Sequence, residues 1–313
     1  MQILLTGSLA VDQIMSFDGS FAEMIQPEKL HVLSLSVLIK ELRRTRGGIA
    51  GNIAYSLALL GEKPLLFGSI GTDQKEYMSS LEKMGVDTSC LHYSEKPTAS
   101  FSVITDRNDC QVGGFYPGAM SDASALSLKK FRDQDIFVVL SAHDPKQMKQ
   151  QVAECIQLKK RLFYDVGQQA SNISGEDIRE GIDAAELLIV NDYEMGILVQ
   201  KTGWSEKEIR QKVNACVVTF GAEGSQIYYG DTSEKIHACS LEKVVDPTGA
   251  GDAFRAGFLY GYVRDWQLKQ CAQLGSVIAA YAVEHLGTQA HTFTLNEVVK
   301  RYVSTYHQEI SFS

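Results

Sequence analysis

Six cysteines, at positions 90, 110, 155, 216, 239 and 271, are scattered too widely to form a motif. There is no C-x-x-C pair and no zinc-like spacing, so a redox dithiol and a structural zinc site are excluded and reduced thiols are expected. The seven histidines are equally dispersed. Basic runs are missing as well. A net charge of −8 without a lysine- or arginine-rich stretch argues against a nucleic-acid partner. The densest basic cluster is Arg43, Arg44 and Arg46, beside a glycine pair; it suits either a solvated turn or contact with a small anion. No apolar stretch approaches the length of a membrane span, and the start, MQILLTGSLAVDQI, lacks the basic leader of a secretory signal. A soluble cytoplasmic protein with no membrane partner is expected. Internal repeats, low-complexity segments and a Walker A motif are also absent.

What is present is an alternation. Short apolar runs recur at 2–5, 65–71, 136–142, 161–167, 186–192 and 215–221, each ending in small or polar residues. Helical periodicity fills the intervals 51–60, 73–85, 146–159, 176–184 and 205–213. Strands alternating with helices predict an α/β fold: a mostly parallel sheet with helices on both faces and ligands outside the carboxyl ends of the strands. After residue 252 the pattern is helical to about 285, with another helix near 295–307. Four stretches, 12–18, 33–38, 98–105 and 111–115, alternate instead like half-buried strands and predict a small antiparallel sheet acting as a lid.

The most informative segment is DPTGAGDAFRAGF, residues 246–258. The six fixed residues of D-x-T-G-A-G-D arise by chance about once in 10⁵ chains of this length. Gly249 and Gly251 admit positive φ and close approach, so with Ala250 they can form a nest of backbone N–H groups for an anion. A helix starting near Asp252 points its positive end at the same place. Capping alone would explain Asp252 but not the two glycines before it. A carboxylate beside a phosphate cradle makes sense if a hydroxyl lies between them, with Asp252 accepting its proton as phosphoryl transfer proceeds.

Together with GGIAGN (47–52), NDYE (191–194) and VVTFGAEG (217–224), this segment resembles the ribokinase-like (PfkB) family of ATP-dependent kinases. Within that family the likeness to bacterial adenosine kinases extends over residues 1 to about 295, through TGSLAVD (6–12), FYPGAMS (115–121), KTGWS (201–205) and AQLGS (272–276). The resemblance implies one ribokinase-like kinase domain over 1–313, with lid segments at about 12–38 and 97–117. It implies that Asp12 and Asn52 hold the substrate ribose, that Gly48 lets the backbone approach the sugar, and that Ser8 and Ser36 stand at its edge. Both polar groups suit vicinal hydroxyls, since a carboxylate accepts twice and an amide both donates and accepts. Taken singly, Asn52 could instead cap the helix starting there, and Gly47–Gly48 could be a plain turn.

Phe101 and Phe115 lie on the two strands of the expected hairpin, where they are either hydrophobic packing or a slot for a purine ring. The FYPGAMS likeness favours the slot. Gln168 and Gln169 follow the FYD strand and face the same cleft. On the nucleotide side, the resemblance assigns Asn191 and Glu194 to magnesium held through water, and Thr219, Gly221 and Gly224 to ATP. Asp246 and the carbonyl of Thr248 are its candidates for a potassium-like cation.

Two departures stand out. Asp165-Val166-Gly167 replaces the Asp-Pro-Ser of the bacterial adenosine kinases, and Asn172 stands where an arginine is expected. Three functions follow: phosphorylation of the adenosine 5′-hydroxyl by ATP, the same chemistry on a sugar or another nucleoside, and ligand sensing without turnover. Asp252 speaks against a sensor and the phenylalanine pair against free sugars. If Asp12, Ser36, Phe101 and Phe115 face the substrate, Met15, Phe17, Leu35, Val37, Ser102, Ile104 and Val112 form the opposite face. That face is apolar except for Ser102 and predicts a homodimer joined through the lid, unless the lid folds back on its own chain.

Overall fold

The computed structural model describes residues 1–122 and 126–312. In chain order the elements are β1 (Gln2–Thr6), β2 (Ala10–Ser16), α1 (Phe21–Met24), β3 (Glu41–Gly47), α2 (Ile49–Leu59), β4 (Leu65–Leu66), β5 (Ser69–Gly71), α3 (Lys75–Lys83), β6 (His92–Ser94), β7 (Ala99–Thr105) and β8 (Gln111–Tyr116). They continue with β9 (Ile136–Leu140), α4 (Pro145–Leu158), β10 (Arg161–Tyr164), α5 (Gly175–Ala184), β11 (Leu187–Asn191), α6 (Asp192–Thr202), α7 (Glu206–Lys212), β12 (Ala215–Thr219), β13 (Ser225–Tyr229), β14 (Thr232–Ile236), α8 (Ala250–Tyr262), α9 (Leu268–Val283) and α10 (Leu295–Tyr306).

An eight-stranded sheet in the order β14-β13-β12-β11-β10-β9-β1-β4 forms the centre. The six strands from β12 to β4 are parallel, and β13 and β14 extend the edge as an antiparallel hairpin. The two-residue period of a strand divides the core in two. Ile3, Leu5, Phe137 and Val139 pack with α2, α8 and α9 on one face. Leu4, Val138 and Leu140 pack with residues of α4, α5 and α6 on the other. Burial on both faces is why these strands read as unbroken apolar runs.

The run at 65–71 divides: β4 joins the main sheet, and β5 pairs with β6 in a separate two-stranded sheet. The helical stretch after 250 also divides. Between α8 and α9 the chain turns through Asp265, a non-glycine residue at φ 57°. The two helices lie so close that a Cβ on Gly257 would come within 2.8 Å of the Gly275 Cα. This fixes the helix that carries Asp252.

The small second sheet has the order β3-β2-β7-β8. It is mixed rather than antiparallel, because β2 and β7 run parallel. Residues 33–38, expected as one of its strands, form no strand; β3 occupies that place eight residues later. Leu33 and Leu38 are exposed and Leu35 and Val37 half-buried in this irregular segment. The sheet edge is made by backbone pairing with β2 along ELRRTRG, which has almost no apolar residues to signal a strand.

Candidate active site

The helix at the glycine-rich turn begins earlier than the sequence suggests. Gly249 is its N-cap, in the left-handed region at φ 81°, and Ala250 is the first helical residue. Asp252 therefore lies inside the first turn and is not the cap. Gly251 is helical, so only one of the two glycines needs positive φ. The first intrahelical bond runs from the Ala253 N–H to the Gly249 carbonyl at 2.9 Å, and the Ala250 N–H donates to the Pro247 carbonyl at 3.2 Å. The amides of Gly251 and Asp252 precede the intrahelical ladder and point out of the positive end of a 13-residue helix.

Asn52 lies one turn into α2, too far along to cap it. Its Nδ2 donates to Asp252 Oδ2 at 2.8 Å, and its Oδ1 accepts from Gln289 Nε2 at 3.0 Å. Gln289 also meets the Tyr77 hydroxyl, which donates to the Gly47 carbonyl at 3.0 Å. This chain fixes the orientation of the Asn52 amide. Gly48, at φ 87°, begins α2; a Cβ there would lie 2.5 Å from the Ser8 carbonyl oxygen and 2.6 Å from the Ala10 amide. Ser8 serves that same turn, its hydroxyl accepting the Ile49 N–H at 3.0 Å. Asp12 lies against Gly47, where a Cβ would come within 2.6 Å of its carboxylate.

Burial pushes the Asp12 carboxyl up to about 6, and the Asp252 charge adds to the shift. Burial likewise raises Asp252, opposed by the Arg255 guanidinium and the Asn52 amide. Two carboxylates from different elements thus lie closely enough to repel. Ser36 does not join them: it is exposed in the irregular segment, and the residue paired with Asp12 on β3 is Thr45.

Phe101 is paired with Asp12 on one side and with Phe115 on the other, so all three stand in one row across the small sheet. Phe101 is 38% and Phe115 49% exposed. Exposure of that degree is not hydrophobic-core packing and leaves both rings free for a flat partner. Gln168 is exposed on a 3₁₀ turn at Gly167–Ser171, and Gln169 accepts from Asn172 Nδ2 at 2.9 Å. Asn172 thus holds the glutamine.

Asn191 ends β11 and caps α6. Its side chain accepts the Glu194 N–H at 2.7 Å while Glu194 Oε2 accepts the Asn191 N–H at 2.9 Å. Thr219 is the strand partner of Asn191. Gly221 and Gly224, at φ 56° and 96°, shape the following turn, and a Cβ on Gly224 would lie 2.0 Å from the Ile236 carbonyl oxygen. Asp246 accepts the Thr248 amide at 2.9 Å and the Gly287 amide at 3.0 Å. Burial works against its charge, but these two donors and the nearby Arg43 hold its carboxyl below the usual range.

Besides Gln289 and Tyr77, two further residues outside the sequence-derived set complete the site. Arg255, one turn after Asp252, donates to Asp165 Oδ1 at 3.0 Å and approaches Glu194 at 3.7 Å and Asp252 at 3.9 Å. Asp165 is fully buried, and its carboxyl is raised by that burial against the opposing pull of Arg255. An arginine inside an apolar helix, three residues after the key aspartate, was the available signal. Among the described residues no cluster of three or more metal-binding side chains occurs, all six cysteines are free, and no helix is long and apolar enough to cross a membrane.

Residues 12–294 match the pfkB family of carbohydrate kinases. The chain is 31% identical over 277 residues to a nucleoside kinase of Methanocaldococcus jannaschii, covering 88% of this chain and 91% of that protein. The structure of Burkholderia thailandensis nucleoside kinase with inosine superposes with a TM-score of 0.89 at 32% identity, over 98% of this chain and 100% of that one. The same enzyme with ADP-inosine gives a TM-score of 0.85 at 33% identity, covering 99% and 98%.

Proposed function

Because the chain belongs to the pfkB family of carbohydrate kinases, with a ribokinase-like fold and phosphoryl transfer to a hydroxyl as its chemistry, we propose that it phosphorylates the 5′-hydroxyl of purine nucleosides, adenosine among them, with ATP. One observation carries the reading: the Asp252 carboxylate stands beside the two free amides of α8 and close enough to Asp12 for their charges to repel, with Asp12 in one row with the exposed Phe101 and Phe115. The sugar lies with its vicinal hydroxyls on Asp12 and Asn52, and the purine lies against the two rings. Asp252 accepts the proton of the 5′-hydroxyl as it attacks the γ-phosphorus, and the Gly251 and Asp252 amides stabilise charge on the transferred group. The small sheet acts as a lid over this cleft. Inosine bound to the Burkholderia relative supports a purine and is why adenosine is not made the exclusive substrate.

ATP lies between the β11–α6 corner and the turn at Gly221–Gly224. Glu194 uses one oxygen in its cap, and its other oxygen would hold magnesium through water. Magnesium supplies charge neutralisation of the triphosphate. Asp246 and the Thr248 carbonyl would hold a potassium-like ion, but two amides and Arg43 already offset that charge, so potassium dependence is modest.

A homodimer through the outer face of the lid, in a cytoplasmic enzyme, is part of the same proposal, with its residues revised. The register places Met15, Leu42, Ile104 and Val112 in one row, and Leu42 and Val112 are 51% and 54% exposed. Phe17 turns back onto Phe21, ring centroids 5.7 Å apart, and drops out of that row. The function is tested by ADP release from ATP against a panel of adenosine, inosine, guanosine, cytidine, ribose and fructose. Turnover with the purine nucleosides is expected; turnover confined to free sugars refutes the reading.

A further inference from the structure

Arg255 has no part in the transfer as described, yet the site is arranged around it. Its neighbours on α8, from Ala253 to Phe258, are buried and, Arg255 apart, apolar or glycine, and its own side chain is 10% exposed. A cation in such surroundings must be compensated. Three carboxylates do so from three elements: Asp165 after β10, Glu194 in α6 and Asp252 in its own helix. Gly251 belongs to this arrangement, since a Cβ there would lie 2.8 Å from Nη1 of Arg255. With no positive φ to require it, that glycine makes room for the guanidinium under the free amides.

The contacts are unequal. Arg255 hydrogen-bonds Asp165 through a single Nη2 contact rather than a two-point fork, and Asp165 Oδ2 and Arg255 Nε have no protein partner. A pair built only to pin the fold would close that fork. Its Nη2 also donates to the Ile189 carbonyl at 3.4 Å, and its Nη1 stops 3.9 Å from Asp252 Oδ1, outside hydrogen-bond range. Asp252 Oδ2 is meanwhile held by Asn52. One oxygen is thereby fixed, and the other has a positive charge nearby without a donor occupying it.

We propose that Arg255, anchored by Asp165, is a positioning residue for the transfer, keeping the Asp252 carboxylate ionised and free at one oxygen to accept the hydroxyl proton. The proposal rests on the reading of Asp252 as the base. The charged and polar groups facing Asp252 are Asn52 from α2, Asp12 from β2, Tyr77 from α3, Glu194 from α6, Asp165 and Arg255. Arg255 is the one cation among them. Without it a buried carboxylate surrounded by three others holds its own proton and cannot take a second.

The test uses R255M, D165N, R255M/D165N and R255K in the full chain. R255M alone strands the Asp165 charge and risks unfolding, so the comparison is R255M/D165N against D165N, which removes that liability. Two readouts are taken: the ¹³C titration of the Asp252 carboxyl, assigned by its loss in D252N, and steady-state kinetics with adenosine and ATP. In the double variant the Asp252 midpoint rises by about one to three pH units. Its kcat falls about 10²-fold while the nucleoside KM stays within about threefold. R255K retains most of the parent's midpoint and rate. A midpoint and kcat in the double variant equal to those of D165N overturn the proposal and leave Arg255 as packing. If the midpoint shifts but the parent transfers no phosphate to any nucleoside, the hold of Arg255 on Asp252 stands and the kinase reading fails.

Discussion

Replacing Gly249 with alanine tests how much of the site depends on one backbone conformation. The residue sits at φ 81°, where an L-side chain is strained by about 1–2 kcal/mol. The new Cβ would also lie 3.0 Å from both Cβ and Cγ2 of Thr288. Thr288 cannot simply swing away, because it is buried and its hydroxyl donates to the Arg46 carbonyl at 2.8 Å. Overpacking of this kind adds about 1–3 kcal/mol. The total of about 2–5 kcal/mol corresponds to a fall in Tm of roughly 3–8 °C for a chain of this size. Because Gly249 sets the direction of the α8 amides, kcat should drop about 10- to 10³-fold. Differential scanning calorimetry and steady-state kinetics on G249A and G249A/T288S measure both effects. Serine removes Cγ2 but keeps the hydroxyl, so the double variant should regain part of the Tm and little of the rate. A G249A protein with Tm within about 1 °C and kcat within about twofold of the parent would mean that neither stability nor transfer depends on the left-handed conformation of Gly249.

Phe101→Ala and Phe115→Ala should each raise the nucleoside KM roughly 5- to 150-fold and leave the ATP KM nearly unchanged, the cost of losing a base-stacking ring; equal effects on both substrates would make the rings structural. Nucleoside affinity should weaken as pH falls through about 6, because a protonated Asp12 cannot accept from two hydroxyls, and D12N should abolish that pH dependence. The raised carboxyl of Asp12 means the native state holds the proton more tightly than the unfolded chain. Its stabilising contribution is present below the unfolded value of 3.8 and lost as pH rises through about 6, so D12N should melt higher than the parent at pH 7–8 while binding nucleoside worse. L42E should convert a dimer to monomers in sedimentation at micromolar concentration; a parent protein already at 34.5 kDa refutes the dimer.

How much of this was legible in the sequence depended on burial. The parallel strands were readable because both faces are covered, which turns β9 into the unbroken run IFVVL. The hairpin β13–β14 was missed: its last strand, TSEKI, is mostly exposed and carries polar residues where a buried strand would carry valine. VLSLSVLI alternates like a strand yet forms none, whereas ELRRTRG pairs along its whole length with β2. Backbone hydrogen bonding, to which side-chain pattern is blind, decided that case. At the site, Asp252, Asn52 and Asp12 stand in short motifs that a sequence pattern can single out, and the structure brings Asn52 onto Asp252. Arg255, Asp165 and Gln289 were missed because their roles come from contacts across 90 and 237 positions of sequence. The second glycine of the turn, expected to supply backbone freedom, is helical without positive φ, and a Cβ there would lie 2.8 Å from Arg255 Nη1.

In the proposed reaction Asp252 takes the proton of a nucleoside hydroxyl. The most direct test is D252N, examined by calorimetry for adenosine binding and by single-turnover kinetics for transfer from ATP. Asparagine keeps the size of the side chain and can still meet the Asn52 amide through its oxygen, so the cleft should persist. Adenosine affinity should stay within about threefold of the parent while the transfer rate falls by about 10²–10⁴ or more. Intact binding with transfer within about threefold of the parent would contradict that role of Asp252.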